Sequence, residues 1–185
     1  MNIVLGFTPY VAFFVVMRVG TVEVAMWAAF AVAALIFLYE RLRGRSAKIL
    51  EIGSVALFGA LAAFTAAADW HWTLTAVRLA VDLGLLGIVL VSIMLDRPFT
   101  MQYARERVAR EYWQTPLFLA INRRITLVWA AAFAALVLVH AATVVSLVPV
   151  WADAVVTILA FVYAVNFTAR YPQKARNAAG LDKAA

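Results

Sequence analysis

The chain has 185 residues, of which 66% are hydrophobic and 14% charged, with a formal net charge of +6. A soluble domain is about half apolar and a quarter charged, so a globular core cannot absorb this excess. The absence of cysteine excludes disulfides, thiolate metal sites, iron–sulfur clusters and thiol nucleophiles.

The apolar residues gather into runs that match the roughly 30 Å hydrocarbon thickness of a bilayer when helical. Six runs fit, near 3–17, 22–39, 49–67, 74–95, 125–148 and 151–169. They imply an all-α fold: a polytopic transmembrane helical bundle forming one integral membrane domain over residues 1–185. The first run lacks a basic leader and a small-residue cleavage site, and reads as a retained helix. Pro9 within it predicts a kink or a late helix start.

The second run ends in ERLRGRSAK and the third in DWHW. Small residues recur every four positions at Gly59, Ala63 and Ala67, and again at Ala76, Ala80 and Gly84. Such rows let helix backbones approach closely, within the chain or between copies.

The fourth run carries Arg78 and Asp82, one turn apart on one helix face. Counted from Trp72 at about 1.5 Å per residue, Arg78 lies roughly 9 Å deep and Asp82 roughly 15 Å. Charges at such depth are rare and face the bundle interior. They form either a substrate or proton site or a self-neutralised pair that locks packing. His140 in the fifth run is a proton carrier or a hydrogen-bonded packing residue. Glu23 and Asp153, near the same membrane side, could join these three around one polar pocket, whereas Glu51 and Asn166 read as interfacial.

Between the fourth and fifth runs lies the chain's one long polar stretch, Asp96 to Arg124. Its first part reads as an amphipathic interfacial helix, with Asp96 as N-cap and Pro116 as terminator. Phe99, Tyr103, Val108 and Tyr112 would face lipid, and the alternative is a solvated loop. The arginines Arg97, Arg105, Arg107, Arg110, Arg123 and Arg124 are the expected lipid-headgroup contacts.

Fourteen of the sixteen basic residues fall in alternate connections or the C-terminal segment, and only Arg18 and Arg78 fall elsewhere. The positive-inside rule then puts those connections and both termini in the cytoplasm of a bacterial inner membrane. Trp70, Trp72 and Trp151 would mark the outer interface, and Tyr39, Trp113 and Tyr171 the inner one. The basic charge is explained by anionic lipid, so no nucleic-acid partner is expected.

Enzyme motifs are missing: the chain has no glycine-rich phosphate loop, HExxH or GxSxG. No cofactor and no metal site are implied. The segment DRPFTMQYARE, and FTARYPQKAR at the end of the last run, resemble small bacterial inner-membrane proteins loosely similar to intracellular septation protein A. Phe7-Thr8-Pro9 with Phe13-Phe14 resembles that protein's F-x-P-x-x-x-F-F pattern, and Arg97-Pro98 its basic-proline dipeptide. The seven-residue spacing of Asn122 and Trp129 and the long arginine-rich stretch depart from it. The resemblance implies a non-enzymatic role in envelope maintenance or division, with lipids, other membrane proteins or a second copy as partners. The competing expectation is a small transporter or lipid-handling protein built on Arg78 and Asp82.

Overall fold

The computed structural model describes residues 3–68 and 71–180, so Trp70 and Lys183 lie outside the described residues. Every regular element among these residues is helical. They are α1 (Ile3–Gly6), α2 (Thr8–Val16), α3 (Val22–Leu42), α4 (Ile49–Ala68), α5 (Leu74–Met94), α6 (Phe99–Ala104), α7 (Pro116–Val144) and α8 (Val150–Ala178). A single 3-10 turn spans Arg110–Tyr112. Five helices, α3, α4, α5, α7 and α8, are long and apolar enough to cross a membrane. The protein is an all-helical membrane protein.

Six spans are expected; five long helices and a shorter, broken one are found among the described residues. The run at the N-terminus divides at Phe7, and α2 restarts with Pro9 in its first turn, where a missing N–H costs nothing. From Ile3 to Val16 it covers only roughly 20 Å.

The chain contacts cluster into two compact units, Met1–Ile88 and Val89–Ala185, with the boundary inside α5. In the first unit α2 packs on α3, and α3 on α4. Phe13 and Phe58 meet at 5.7 Å between fully buried rings, with Tyr10 against Phe58 at 5.2 Å. Helix α5 approaches α4 through two glycines. A Cβ at Gly53 would stand 2.6 Å from Ile88 Cγ1, and one at Gly84 2.2 Å from Leu57 Cδ1. The small-residue rows are thus only partly the packing seam. Gly84 and Gly59 touch neighbouring side chains, whereas Ala63 and Ala67 are exposed.

The second unit is built on the antiparallel α7–α8 hairpin. Trp129, Phe133 and Phe161 form a mutual cluster with centroid distances of 5.5 to 6.0 Å. The Trp129 indole donates to Thr168 Oγ1 at 3.0 Å. Helix α7 has 29 residues, roughly 43 Å at the α-helical rise, which exceeds the hydrocarbon thickness by about two turns.

The interfacial helix needs correction. A helix does follow Pro98, but it has six residues and ends well before Pro116. Phe99, Thr100, Met101 and Tyr103 are buried within the protein rather than turned to lipid. Thr100 Oγ1 donates to the Asn122 carbonyl at 3.0 Å and lies 2.7 Å from Thr126 Oγ1, which fastens α6 to α7. Pro116 starts α7 instead of ending a helix, with Thr115 accepting from Phe118 N at 3.3 Å as N-cap. Asp96 is likewise no N-cap. It has φ of +50°, and the bonds Arg97 N to Ser92 O and Asp96 N to Ile93 O make it the left-handed residue closing α5. Gly44 closes α3 and Ser146 closes α7 in the same manner.

Candidate functional site

Arg78 and Asp82 belong to the first unit and His140 to the second. Asp82 is 3% exposed, and Tyr10 is also buried in this unit. Tyr10 shares a 3.1 Å hydrogen bond with Ser54, itself buried on α4. Arg78 is half-buried one turn nearer the start of α5.

His140 has a definite partner. Its Nε2 stands 2.9 Å from Asp153 Oδ1, both side chains buried. The residues face each other across the closed end of the α7–α8 hairpin. Asp153 sits in the first turn of α8, where the helix dipole favours an anion. Glu23, by contrast, is exposed at the start of α3.

The densest charged cluster was not among the expected site residues. Glu40, Lys48 and Glu51 are all buried where α3 turns into α4. Lys48 Nζ lies 3.2 Å from Glu40 Oε2 and 3.1 Å from Glu51 Oε1. Arg45 reaches Glu40 from the surface at 3.0 Å. The local sequence explains the assembly. Gly44, with φ of +69°, reverses the chain after α3 and brings Lys48 back over Glu40. Glu51 stands at the third position of α4 and accepts from the Lys48 backbone N–H at 3.3 Å, half of a capping box. Two carboxylates meet two cations, so the cluster is neutral as a whole. Glu51 is therefore buried and paired, and Lys48 is not a free loop charge. The crevice bordered by Leu5, Pro9, Ile36, Glu51 and Ser54 is too narrow for a water molecule. A sealed, charge-balanced cluster fastens a hairpin; it presents neither a base nor a nucleophile to a substrate. Among the described residues no three histidine or acidic side chains could hold a metal ion.

The arginines of the polar stretch divide. Arg97, Arg107, Arg110, Arg123 and Arg124 are exposed, and Arg105 is half-buried. The aromatics expected at the basic interface each carry a guanidinium. Arg43 lies 4.7 Å from the Tyr39 ring, Arg105 and Arg110 lie 5.3 and 5.6 Å from Trp113, and Arg124 lies 5.9 Å from Tyr171. Stacking on a ring's negative face holds a cation at a fixed height. Trp151 is exposed, while Trp72 is half-buried and donates to Thr65 Oγ1 at 2.8 Å.

No family model, curated protein or solved structure matches this chain.

Proposed function

We propose that this is a non-enzymatic, multi-pass protein of the bacterial inner membrane that acts in envelope maintenance or cell division through lipids or membrane partners. Its basic connections and both termini face the cytoplasm, following the positive-inside rule. One observation supports the non-enzymatic reading above the others. The buried cluster at Glu40, Lys48 and Glu51 and the buried pair at His140 and Asp153 each close a helical hairpin, and the crevice beside Glu51 is too narrow for a water molecule. Arg43, Arg110 and Arg124 are instead exposed, each seated on an aromatic ring. Deleting the gene and isolating the tagged protein with its membrane partners tests this. Unchanged cell shape and envelope integrity, with no co-purifying membrane protein, would remove the basis of the reading.

A second reading, a small transporter, draws on the burial of Asp82 in a helix long and apolar enough to cross the membrane. In proteoliposomes Asp82→Asn should abolish proton-coupled flux while helicity is retained. Loss of helicity in that variant would assign Asp82 to packing.

A further inference from the structure

We infer that the basic end of the α7–α8 hairpin binds one anionic phospholipid, its phosphate held by Arg124, Arg170 and Lys174 and one acyl chain lying along Tyr163 and Phe167. The inference rests on the membrane reading above and names the lipid class and the site.

The residues come together by helical geometry. Tyr163, Asn166, Phe167, Arg170, Tyr171 and Lys174 follow one another at three- and four-residue steps, so they share one face of α8. They border an open groove of about 350 Å³. The helix shows large apolar side chains outward on the adjoining turns, with Ile158 and Leu159 both more than half exposed. In a bilayer that surface is covered by acyl chains.

Depth sorts the groove into two halves. About twenty helical residues cross the hydrocarbon. Counted from the closed end of the hairpin, that length reaches Ala169 on α8 and Ile125 on α7. Arg170, Lys174 and Arg124 therefore stand just past the hydrocarbon boundary, at phosphate height. Tyr163 and Phe167 stand on the acyl side of it.

Charge and hydrogen bonding give two separate reasons for a ligand of this kind. Arg124, Arg170 and Lys174 are exposed, and no carboxylate of the described residues pairs with Arg170 or Lys174. No acidic residue borders the groove. Three cations so placed repel one another, and a phosphodiester supplies the missing anion with charge-assisted hydrogen bonds. Arg124 is already aimed: its Nη1 donates to the Tyr171 hydroxyl at 3.3 Å, and Tyr171 is stacked on Phe167 at 4.6 Å. Asn166 is the second reason. It is an exposed amide one turn inside the boundary, with no partner among the described residues. An amide facing hydrocarbon is costly unless bonded. The glycerol-ester carbonyls of a phospholipid lie at that height and accept from it.

The test uses the full chain, delipidated in detergent and titrated with phosphatidylglycerol or phosphatidylcholine, bound lipid being counted by native mass spectrometry. The parent should hold one phosphatidylglycerol at least about ten-fold more tightly than phosphatidylcholine. R170Q/K174Q should remove that preference, whereas R43Q/R107Q, with the same charge loss elsewhere, should keep it within about two-fold. N166L should weaken both lipids about three-fold without altering their ratio. All these side chains are exposed, so helicity by circular dichroism should match the parent. Equal loss in the two double variants would reduce the effect to diffuse surface charge and overturn the site. Equal affinity for the two lipids, or displacement of phosphatidylglycerol by millimolar inorganic phosphate, would overturn it as well. A deletion strain without an envelope phenotype would instead strike the cellular role and leave this binding result standing.

Discussion

Replacing Lys48 with methionine should destabilise the protein by about 3–5 kcal/mol at pH 7, the range for a buried ion pair that loses one partner. Methionine keeps an unbranched apolar stem, so the perturbation isolates the ammonium. The loss falls unequally on the two carboxylates. Glu40 keeps Arg45, whose Nη1 lies 3.0 and 3.2 Å from its two oxygens. Glu51 keeps only the residue 48 backbone N–H at 3.3 Å. In the variant Glu51 escapes an uncompensated buried charge by taking up a proton. Neutralising an ordinary carboxylate at pH 7 costs about 3.7 kcal/mol, from a reference value near 4.3 and about 1.36 kcal/mol per pH unit. The two routes to the magnitude agree. The second also predicts the sign of the pH effect. The variant is neutral at Glu51 when folded and charged when unfolded, so its deficit grows as pH rises above the ordinary carboxylate range.

The assay is reversible unfolding in mixed micelles, titrated with a denaturing detergent and followed by far-ultraviolet circular dichroism. Glu51→Gln placed on the Lys48→Met background should recover most of the loss, giving a coupling energy of at least about 2 kcal/mol in a double-mutant cycle. A Lys48→Met protein within about 0.5 kcal/mol of the parent at pH 7, or strictly additive single variants, would refute the ionic lock.

Gly53→Ala should cost about 1–3 kcal/mol, because its Cβ meets the stiff β-branched Ile88 at 2.6 to 2.9 Å. Gly87→Ala, which meets nothing within 4 Å, should be neutral or stabilising by up to about 1 kcal/mol; both are read from the same unfolding titration. Ser146→Gly should stabilise the protein by about 1 kcal/mol, since Ser146 holds φ of +59° at the close of α7, and an unchanged midpoint would count against strain there. Asp153→Ala should cost about 2 kcal/mol by removing the buried carboxylate whose Oδ1 stands 2.9 Å from His140 Nε2, and His140→Leu in the same chain should restore part of it.

Hydropathy alone made the long helices legible, because a bilayer imposes one length on every crossing segment. Pro9 gave the restart of α2, and the Thr115-Pro116 pair carried a helix-start signal that an expected terminator obscured. The polar stretch misled for a physical reason. Phe99 and Tyr103 carry the i, i+4 apolar spacing of a lipid-facing helix, and that spacing is equally satisfied by burial against α7. Periodicity states that a face is hidden, not what hides it. The pairing of His140 with Asp153 needed the hairpin register, which no local pattern supplies.

The missed cluster shows where neighbour choice is encoded in such a chain. Lipid is as apolar as leucine, so burial of apolar surface gives little preference for one helix partner over another. Preference has to come from contacts that lipid cannot imitate. In the first unit these are the Lys48 bridge between Glu40 and Glu51 and the close approach at Gly53 and Gly84. In the second they are His140 with Asp153 at one end of the hairpin and Trp129 with Thr168 further along. Two acids bordering a basic connection were the available clue: Glu40 and Glu51 flank Arg41, Arg43, Arg45 and Lys48. A solvated loop whose task is only to hold positive charge on one membrane face has no use for them. Their presence next to a left-handed glycine is explained when the loop's second task is to clamp the two helices it joins.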